Sequence, residues 1–289
     1  MGNRWEEVRA QYGAALDDAL ARNVADALAE DVGSGDQTGR LVPEGPARRA
    51  RVIVREEAVL CGAPWFNEVM RSVDPAIRIE WHKHDGERMA PNDVVCEITG
   101  PARSLLTAER TALNFLQMLS GVATATRRYV DAIAGARARI LDTRKTLPGL
   151  RLAQKYAVRA GGGENQRLAL YDGILIKENH VAAAGGIGAA VDAALALDGG
   201  VPVQVEVETI AQLHEAIAHG AKSILLDNFT FEMMREAVTV TAGRAELEVS
   251  GGVNFGTVKE IAATGVDRIS IGALTKDIKA ADFSMRIID

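Results

Sequence analysis

The sequence predicts an α/β protein whose larger part is an incomplete parallel α/β barrel, TIM-like, of about six to seven strands. Two observations predict it. From residue 137 onward six short apolar runs recur, each ending in polar or charged residues: ARARILDTRK, YDGILIKEN, VPVQVEVET, AKSILLDN, AELEVSGG and VDRISIGA. Between most of them lies a segment of helical character, and the alternation of strand, polar tip and helix builds a parallel sheet. Six clear runs are fewer than a complete barrel needs, so the barrel is expected to be short or open; a doubly wound sheet is the alternative.

Taken in order, the elements support this division. The N-terminus, MGNRWEEVRAQYGAALDDALARNVADALAEDVG, reads as an amphipathic acidic helix pair, neither a signal peptide nor a transit peptide. RARVIVREEAVLCG (49–62) alternates in its first half like a half-buried strand, and HDGERMAPNDVVCEITG (84–100) has the punctuation of a hairpin region. Residues 1 to about 104 therefore form a small α+β unit. SLLTAERTALNFLQMLSG is a helix with Leu105, Ala112, Leu116 and Leu119 on one stripe and Gly121 as its expected end. In the second half, Thr209 and Gln212 form a capping box for a helix closed by Gly220, and TVKEIAATG repeats the pattern with its stop at Gly265.

Composition narrows the function. The 289 residues carry a net charge of −6, which excludes a general nucleic-acid surface, so any basic site must be local. There is no run of about 18 apolar residues, so no membrane span is expected. Cys61 and Cys96 sit in apolar runs and read as buried reduced thiols of a cytoplasmic protein in preference to a disulfide.

The chemistry collects at the strand ends, where a parallel barrel keeps its active site. The first tip offers Asp142, Thr143, Arg144 and Lys145; the loop GGGENQR adds Gln166 and Arg167; the second tip adds Lys177. Glu206 and Glu208 share one face of the third strand, Asp227 ends the fourth, Ser250, Gly251 and Gly252 the fifth, and Gly272 and Ala273 the sixth. Clustered cations make an anion clamp, glycine turns let main-chain N–H groups approach phosphate oxygens, and carboxylates among cations suit a divalent ion or a cationic intermediate. Arg144 and Lys145 alone would be an ordinary solvated turn. Glu206 and Glu208, on an otherwise apolar run, are harder to read so, because buried carboxylates need partners. His82, His84 and Asp85 resemble a metal cluster on paper but read as a solvated loop, and His214 and His219 as helix-surface residues.

These residues carry a resemblance. DTRKTLPGLR, GGGENQRLALYDGILIKENH, EVE, LLDNF, SGG and IGALT, together with AEDVGSGDQT (29–38) and AERTALNFLQMLSGVAT (108–124), closely resemble the quinolinate phosphoribosyltransferases, in the right order over nearly the whole chain. The resemblance implies an N-terminal α/β sandwich domain (1–112, completed by 274–289) and a barrel catalytic domain (113–273). It implies conversion of quinolinate and phosphoribosyl pyrophosphate to nicotinate mononucleotide, pyrophosphate and CO2, with Mg²⁺, by a cytoplasmic homodimer. Carried over by motif, Arg110 would be contributed in trans; Arg144, Arg167 and Lys177 would hold the quinolinate carboxylates, with Thr143 and Gln166 beside them. Lys145 would face phosphoribosyl pyrophosphate, Glu206 and Asp227 its ribose and Mg²⁺, directly or through water, and Ser250, Gly251, Gly252, Gly272 and Ala273 its 5-phosphate. Lys145, Lys177, Glu206 and Asp227 would be the catalytic set. Gln166 stands where histidine is expected, which removes a proton shuttle and leaves a contact role. The rival readings are a relative with another acceptor, of the molybdenum-transport-associated or nicotinate type, and a non-catalytic phosphosugar-binding module.

Overall fold

The computed structural model describes residues 4–43, 45–197 and 199–289. Two compact units emerge: unit 1 comprises residues up to Arg127, Thr146–Gly162 and Leu274–Asp289, and unit 2 comprises Arg128–Lys145 and Gly163–Ala273.

Unit 1 opens with the expected acidic helix pair, α1 (Arg4–Tyr12) and α2 (Ala14–Asp31). There follow β1 (Arg48–Val54), β2 (Ala58–Val59), α3 (Ala63–Val73), β3 (Arg78–Trp81), β4 (Arg88–Met89) and β5 (Val94–Gly100). A long helix, α4 (Ala102–Ala132), carries the chain onward. The region expected as a hairpin is not one: β4 pairs with β2, while β5 lies between β1 and β3. Alternation on β1 places Ala50, Val52 and Val54 in the core, and Val52 faces Cys96 on one side. Trp65, Phe66, Val69 and Met70 line the buried face of α3, and Phe66 meets Trp81 edge to face at 5.4 Å. Both cysteines are free and buried, and burial pushes both thiols above their ordinary range.

Asp85 shows why a metal reading of its neighbourhood fails. Its carboxylate accepts from the Gly62 and Ala63 main-chain N–H groups at 3.1 and 3.2 Å, capping α3 from outside the helix, and from the Tyr156 hydroxyl at 2.6 Å. His82 and His84 stay exposed.

Gly121 does not end its helix, and the expected domain boundary at residue 112 also falls inside α4. A β-carbon at position 121 would collide with the Lys279 carbonyl and lie 3.3 Å from the Ala280 Cα. The glycine is there to let the returning C-terminal segment cross the helix in contact with it. That segment leads to β12 (Phe283–Ile287), which pairs antiparallel with β1 and gives the sheet order β12-β1-β5-β3. Helix α5 (Arg151–Ala160) belongs to the same unit, and its Tyr156 stacks near Trp65 at 5.4 Å.

Unit 2 contains all six expected strands: β6 (Arg139–Leu141), β7 (Ile174–Ile176), β8 (Val203–Val207), β9 (Ser223–Asp227), β10 (Glu246–Ser250) and β11 (Arg268–Ser270). Helices α6 (Glu178–Ala184), α7 (Ile187–Ala196), α8 (Ile210–Ala218), α9 (Phe231–Thr241) and α10 (Val258–Ala263) fill the connections, and the short α11 (Ala273–Lys276) follows β11. The sheet is parallel throughout, in the order β6-β11-β10-β9-β8-β7, barrel-like and not closed. The Thr209 side chain caps α8 by accepting from the Gln212 N–H, and His219 at its C-terminal end pairs with Asp192 at 2.9 Å. Among the described residues no helix is long and apolar enough to cross a membrane.

Two predictions follow from unit 1. Gly121→Ala should lower stability by about 1–3 kcal/mol, the usual cost of forcing an extra methyl into a packed contact, read as a lower midpoint in denaturant. Asp36 and Asp74 are both held below the ordinary carboxylate value of 3.8. The Gly39 N–H and the Thr107 hydroxyl act on Asp36, the Ser104 hydroxyl and the Ala76 N–H on Asp74. Depressed carboxylates stabilise the fold above their unfolded value, and this is lost as pH falls through the folded one. Asp36→Asn should therefore be less stable than the parent at neutral pH, and the gap should narrow below about pH 4 in urea titrations.

Candidate active site

The parallel sheet of unit 2 sets polar residues at and just beyond the ends of its strands, and alternation on β8 turns further ones to a single face. On β8, Val205 and Val207 are fully buried, while Gln204 and Glu206 lie on the opposite face. Glu208 lies past the end of the strand and is exposed, so it does not join Glu206 as the spacing suggested.

The loop GGGENQR is no surface turn. The Glu164 N–H donates to the Ile140 carbonyl at 2.8 Å, and the Asp142 N–H donates to the Glu164 carbonyl, so Glu164 makes a parallel bridge with Leu141 on the free edge of β6. The Asp142 carboxylate, fully buried, accepts from the Asn165 side chain at 2.7 Å and the Gln166 main chain at 2.8 Å. Two of its glycines serve the packing of the chain. A β-carbon at Gly161 would lie 2.5 Å from the Ala123 carbonyl on α4, and Gly162 takes φ +90°.

The predicted residues gather in small groups. Lys177 lies 3.2 Å from Glu206, whose side chain is only 14% exposed. Lys145 and Thr143 stand over Gly272, where a β-carbon would come within 3.1 Å of the lysine stem, and the Lys145 N–H donates to the Thr143 hydroxyl at 3.0 Å. Asp227 stands over Gly251, whose φ of +87° favours glycine and where a β-carbon would lie 3.0 Å from the carboxylate. Gly252 is left-handed as well, at φ +62°, between Ser250 at the end of β10 and open space. Ala273 begins α11 directly after Gly272. Arg167 lies along Gly173 and donates to its carbonyl at 2.7 Å. Burial, and after it the positive charge of Arg144, makes the Arg167 guanidinium easier to deprotonate than usual, with Asp172 opposing. Arg110 belongs to unit 1, where it is exposed on α4.

Gln166 departs from expectation. Its amide turns to Glu248 and Gln204, with Nε2 at 2.6 and 2.7 Å from the two Glu248 oxygens, and its carbonyl accepts from the Arg167 N–H. Alternation on VPVQVEVE places Gln204 on the face of Glu206, but Glu248 was not expected from sequence. The signal was available: in ELEVS the residues Glu246, Glu248 and Ser250 alternate onto one face.

Among the described residues no group of three or more His, Cys, Asp or Glu side chains could hold a metal ion. Glu206 and Asp227 are thus too few for an all-protein cage. They do suit a Mg²⁺ that arrives on substrate phosphates and keeps its waters, the usual mode for that ion.

A barrel-like parallel sheet that crowds guanidiniums together and sets a lysine and a carboxylate over bare glycine turns defines an anion-handling α/β enzyme. Comparison with known proteins narrows the class. Residues 36–120 match the family model for the quinolinate phosphoribosyl transferase N-terminal domain, and residues 122–286 that for the C-terminal domain. A protein of Bacillus subtilis named probable nicotinate-nucleotide pyrophosphorylase (carboxylating) is 41% identical over 89% of this chain and 90% of its own. The Mycobacterium leprae protein named nicotinate-nucleotide pyrophosphorylase (carboxylating) is 40% identical over 93% of this chain and 97% of its own. The structure of the Francisella tularensis nicotinate-nucleotide pyrophosphorylase superposes with a TM-score of 0.92 at 48% identity, covering 94% of this chain and 96% of that one. The chain belongs to the quinolinate phosphoribosyltransferase family.

Because Gln166 cannot titrate, no limb of the pH–rate profile should trace to position 166. Gln166→His should add one near the ordinary imidazole value of about 6.5, displaced by the facing Glu248 carboxylate, in kcat/KM measured from pH 5 to 9.

Proposed function

We propose that the rim of unit 2 transfers the phosphoribosyl group of phosphoribosyl pyrophosphate to the ring nitrogen of quinolinate, with loss of CO2, giving nicotinate mononucleotide and pyrophosphate. The enzyme is a pentosyltransferase of pyridine-nucleotide synthesis. The observation that carries the reading is the grouping on this rim of Lys177 against Glu206, of Lys145 over Gly272, and of Arg167, whose guanidinium is weakened by burial and then by the charge of Arg144. A dianion among these cations relieves both costs, and a pyridine with adjacent carboxylates has the charge and planarity that guanidiniums grip.

The chemistry then needs little more than placement. The bond from the ribose anomeric carbon to pyrophosphate breaks, and pyrophosphate takes the electron pair. Glu206 and Asp227 would hold Mg²⁺, directly or through water, and the ion when bound would neutralise charge on that leaving group. Glu206, little exposed, offers a carboxylate to the cationic ribose. The ring nitrogen lone pair forms the new bond, and holding it in line supplies much of the rate. The nitrogen is now a quaternary pyridinium, so the electron pair of the bond to the adjacent carboxylate can collapse into the ring as CO2 departs. The ring carbon takes a proton, for which Lys177 and Lys145 are the candidates. The 5-phosphate sits on the main-chain donors of Ser250, Gly251, Gly252, Gly272 and Ala273, with Thr143 flanking the pyridine and Gln166 behind Arg167, its amide turned to Glu248.

The proposal extends to the assembly: a cytoplasmic homodimer in which Arg110 of one copy completes the site of the other. CO2 should be released from carboxyl-labelled quinolinate only when phosphoribosyl pyrophosphate and Mg²⁺ are present. Sugar-phosphate binding without turnover of any pyridine acid would overturn the reading. Arg110→Ala and Glu206→Ala chains, each inactive alone, should regain activity on mixing. About one site in two of each mixed dimer then has both residues intact. No regain would show that the site is not shared.

A further inference from the structure

We propose that Glu248 is a positioning residue for the pyridine-dicarboxylate subsite, acting on Arg167 through Gln166. The inference rests on the reading that Arg167 grips a substrate carboxylate.

Glu248 lies in the middle of β10 and is 1% exposed. Its carboxylate accepts from Gln166 Nε2 with both oxygens, from Gln204 Nε2 at 3.0 Å, and from the Ser270 hydroxyl. Each of these partners is a neutral donor. A carboxylate only accepts, whereas an amide side chain has one donating and one accepting end. Glu248 therefore dictates which way round both glutamines stand. Gln204 must present its NH2, and its carbonyl is left to accept from Gln166 at 3.2 Å. Gln166 must present its NH2 as well, and its carbonyl is then left facing the Arg167 N–H, from which it accepts at 3.0 Å. With its own N–H on the Asp142 carboxylate at 2.8 Å, residue 166 is held by side chain and main chain together. Arg167 leaves this clamp and lies along Gly173. Polarity set at the buried carboxylate thus reaches the Arg167 main chain in two hydrogen-bonded steps, and so fixes where its side chain starts.

In Glu248→Gln the buried side chain has one acceptor for three donors. The Gln166 amide must turn over, and its carbonyl leaves the Arg167 N–H. The double variant Glu248→Gln, Gln166→Glu restores the polarity in reverse. The new NH2 at 248, in the place of Oε1, donates to the new carboxylate at 166 and to the Ser270 hydroxyl oxygen, the carbonyl at 248 still accepts from Gln204, and the second oxygen at 166 still accepts from the Arg167 N–H.

Steady-state kinetics on purified, folded chains tests this. Glu248→Gln should raise the KM for quinolinate about tenfold, the size of one lost hydrogen bond at a charged contact, and leave the KM for phosphoribosyl pyrophosphate within about twofold. The reversed pair should recover most of the loss. A generally loosened barrel would raise both KM values and would not be rescued. An unchanged quinolinate KM, a parallel rise in both, or no recovery in the reversed pair would each overturn the proposal. Should Glu248→Gln not fold, Gln166→Leu cuts the same link from the loop side. It should give the same selective rise, and parent-like KM values would overturn the idea. Arg167→Ala separates the two levels. If it leaves quinolinate KM unchanged, the reading of Arg167 itself fails; if it raises that KM while Glu248→Gln does not, only the role of Glu248 fails.

Discussion

The arrangement of the rim depends on one buried carboxylate, Asp142. It directly follows the first strand of the parallel sheet and accepts from both Asn165 and Gln166. Those two bonds, with the Glu164 bridge to Leu141, convert a glycine-rich connection into an extension of the sheet edge. A loop tied this way does not have to be ordered by its ligand, so less of the binding energy is spent on ordering. Arg144 departs from the same strand end two residues later. The two guanidiniums are thus hung from one fixed point, and the charge of Arg144 adds to burial in weakening Arg167.

Around this point the site balances charge locally. Lys177 rests on Glu206, and Asp227 stands over Gly251. Lower in the sheet the cations are compensated separately: Arg139 and Arg268 share Glu246, at 2.7 and 2.5 Å. The strand floor is neutralised on its own, apart from the rim that carries Arg144, Lys145, Arg167 and Lys177. This explains how a protein of net charge −6 can hold a polyanion.

Much of this was legible because it is periodic. The six strands stood out as apolar runs closed by polar tips, and alternation on VPVQVEVE correctly turned Gln204 and Glu206 to the face opposite the valines. Features that depend on distant partners were not legible. Gly121 reads locally as a helix stop, and only the crossing of residues 279–280 explains a glycine in mid-helix. Asp85 reads as loop until Tyr156 and the start of α3 are brought to it. Glu248 carried the alternation signal, but its meaning comes from Gln166 and Gln204, 82 and 44 residues away.

The C-terminal strand has a consequence for how the chain is made. β12 supplies the neighbour of β1 in the sheet of unit 1, pairing Ala50 with Ile287. A ribosome delivers the chain in order, so this edge of β1 stays open while all of unit 2 is being synthesised. An unpaired edge of alternating apolar residues is a template for other strands. Through that interval the arginines of β1, Arg48, Arg49 and Arg51, flank the open edge with positive charge, a feature that discourages pairing with other nascent chains.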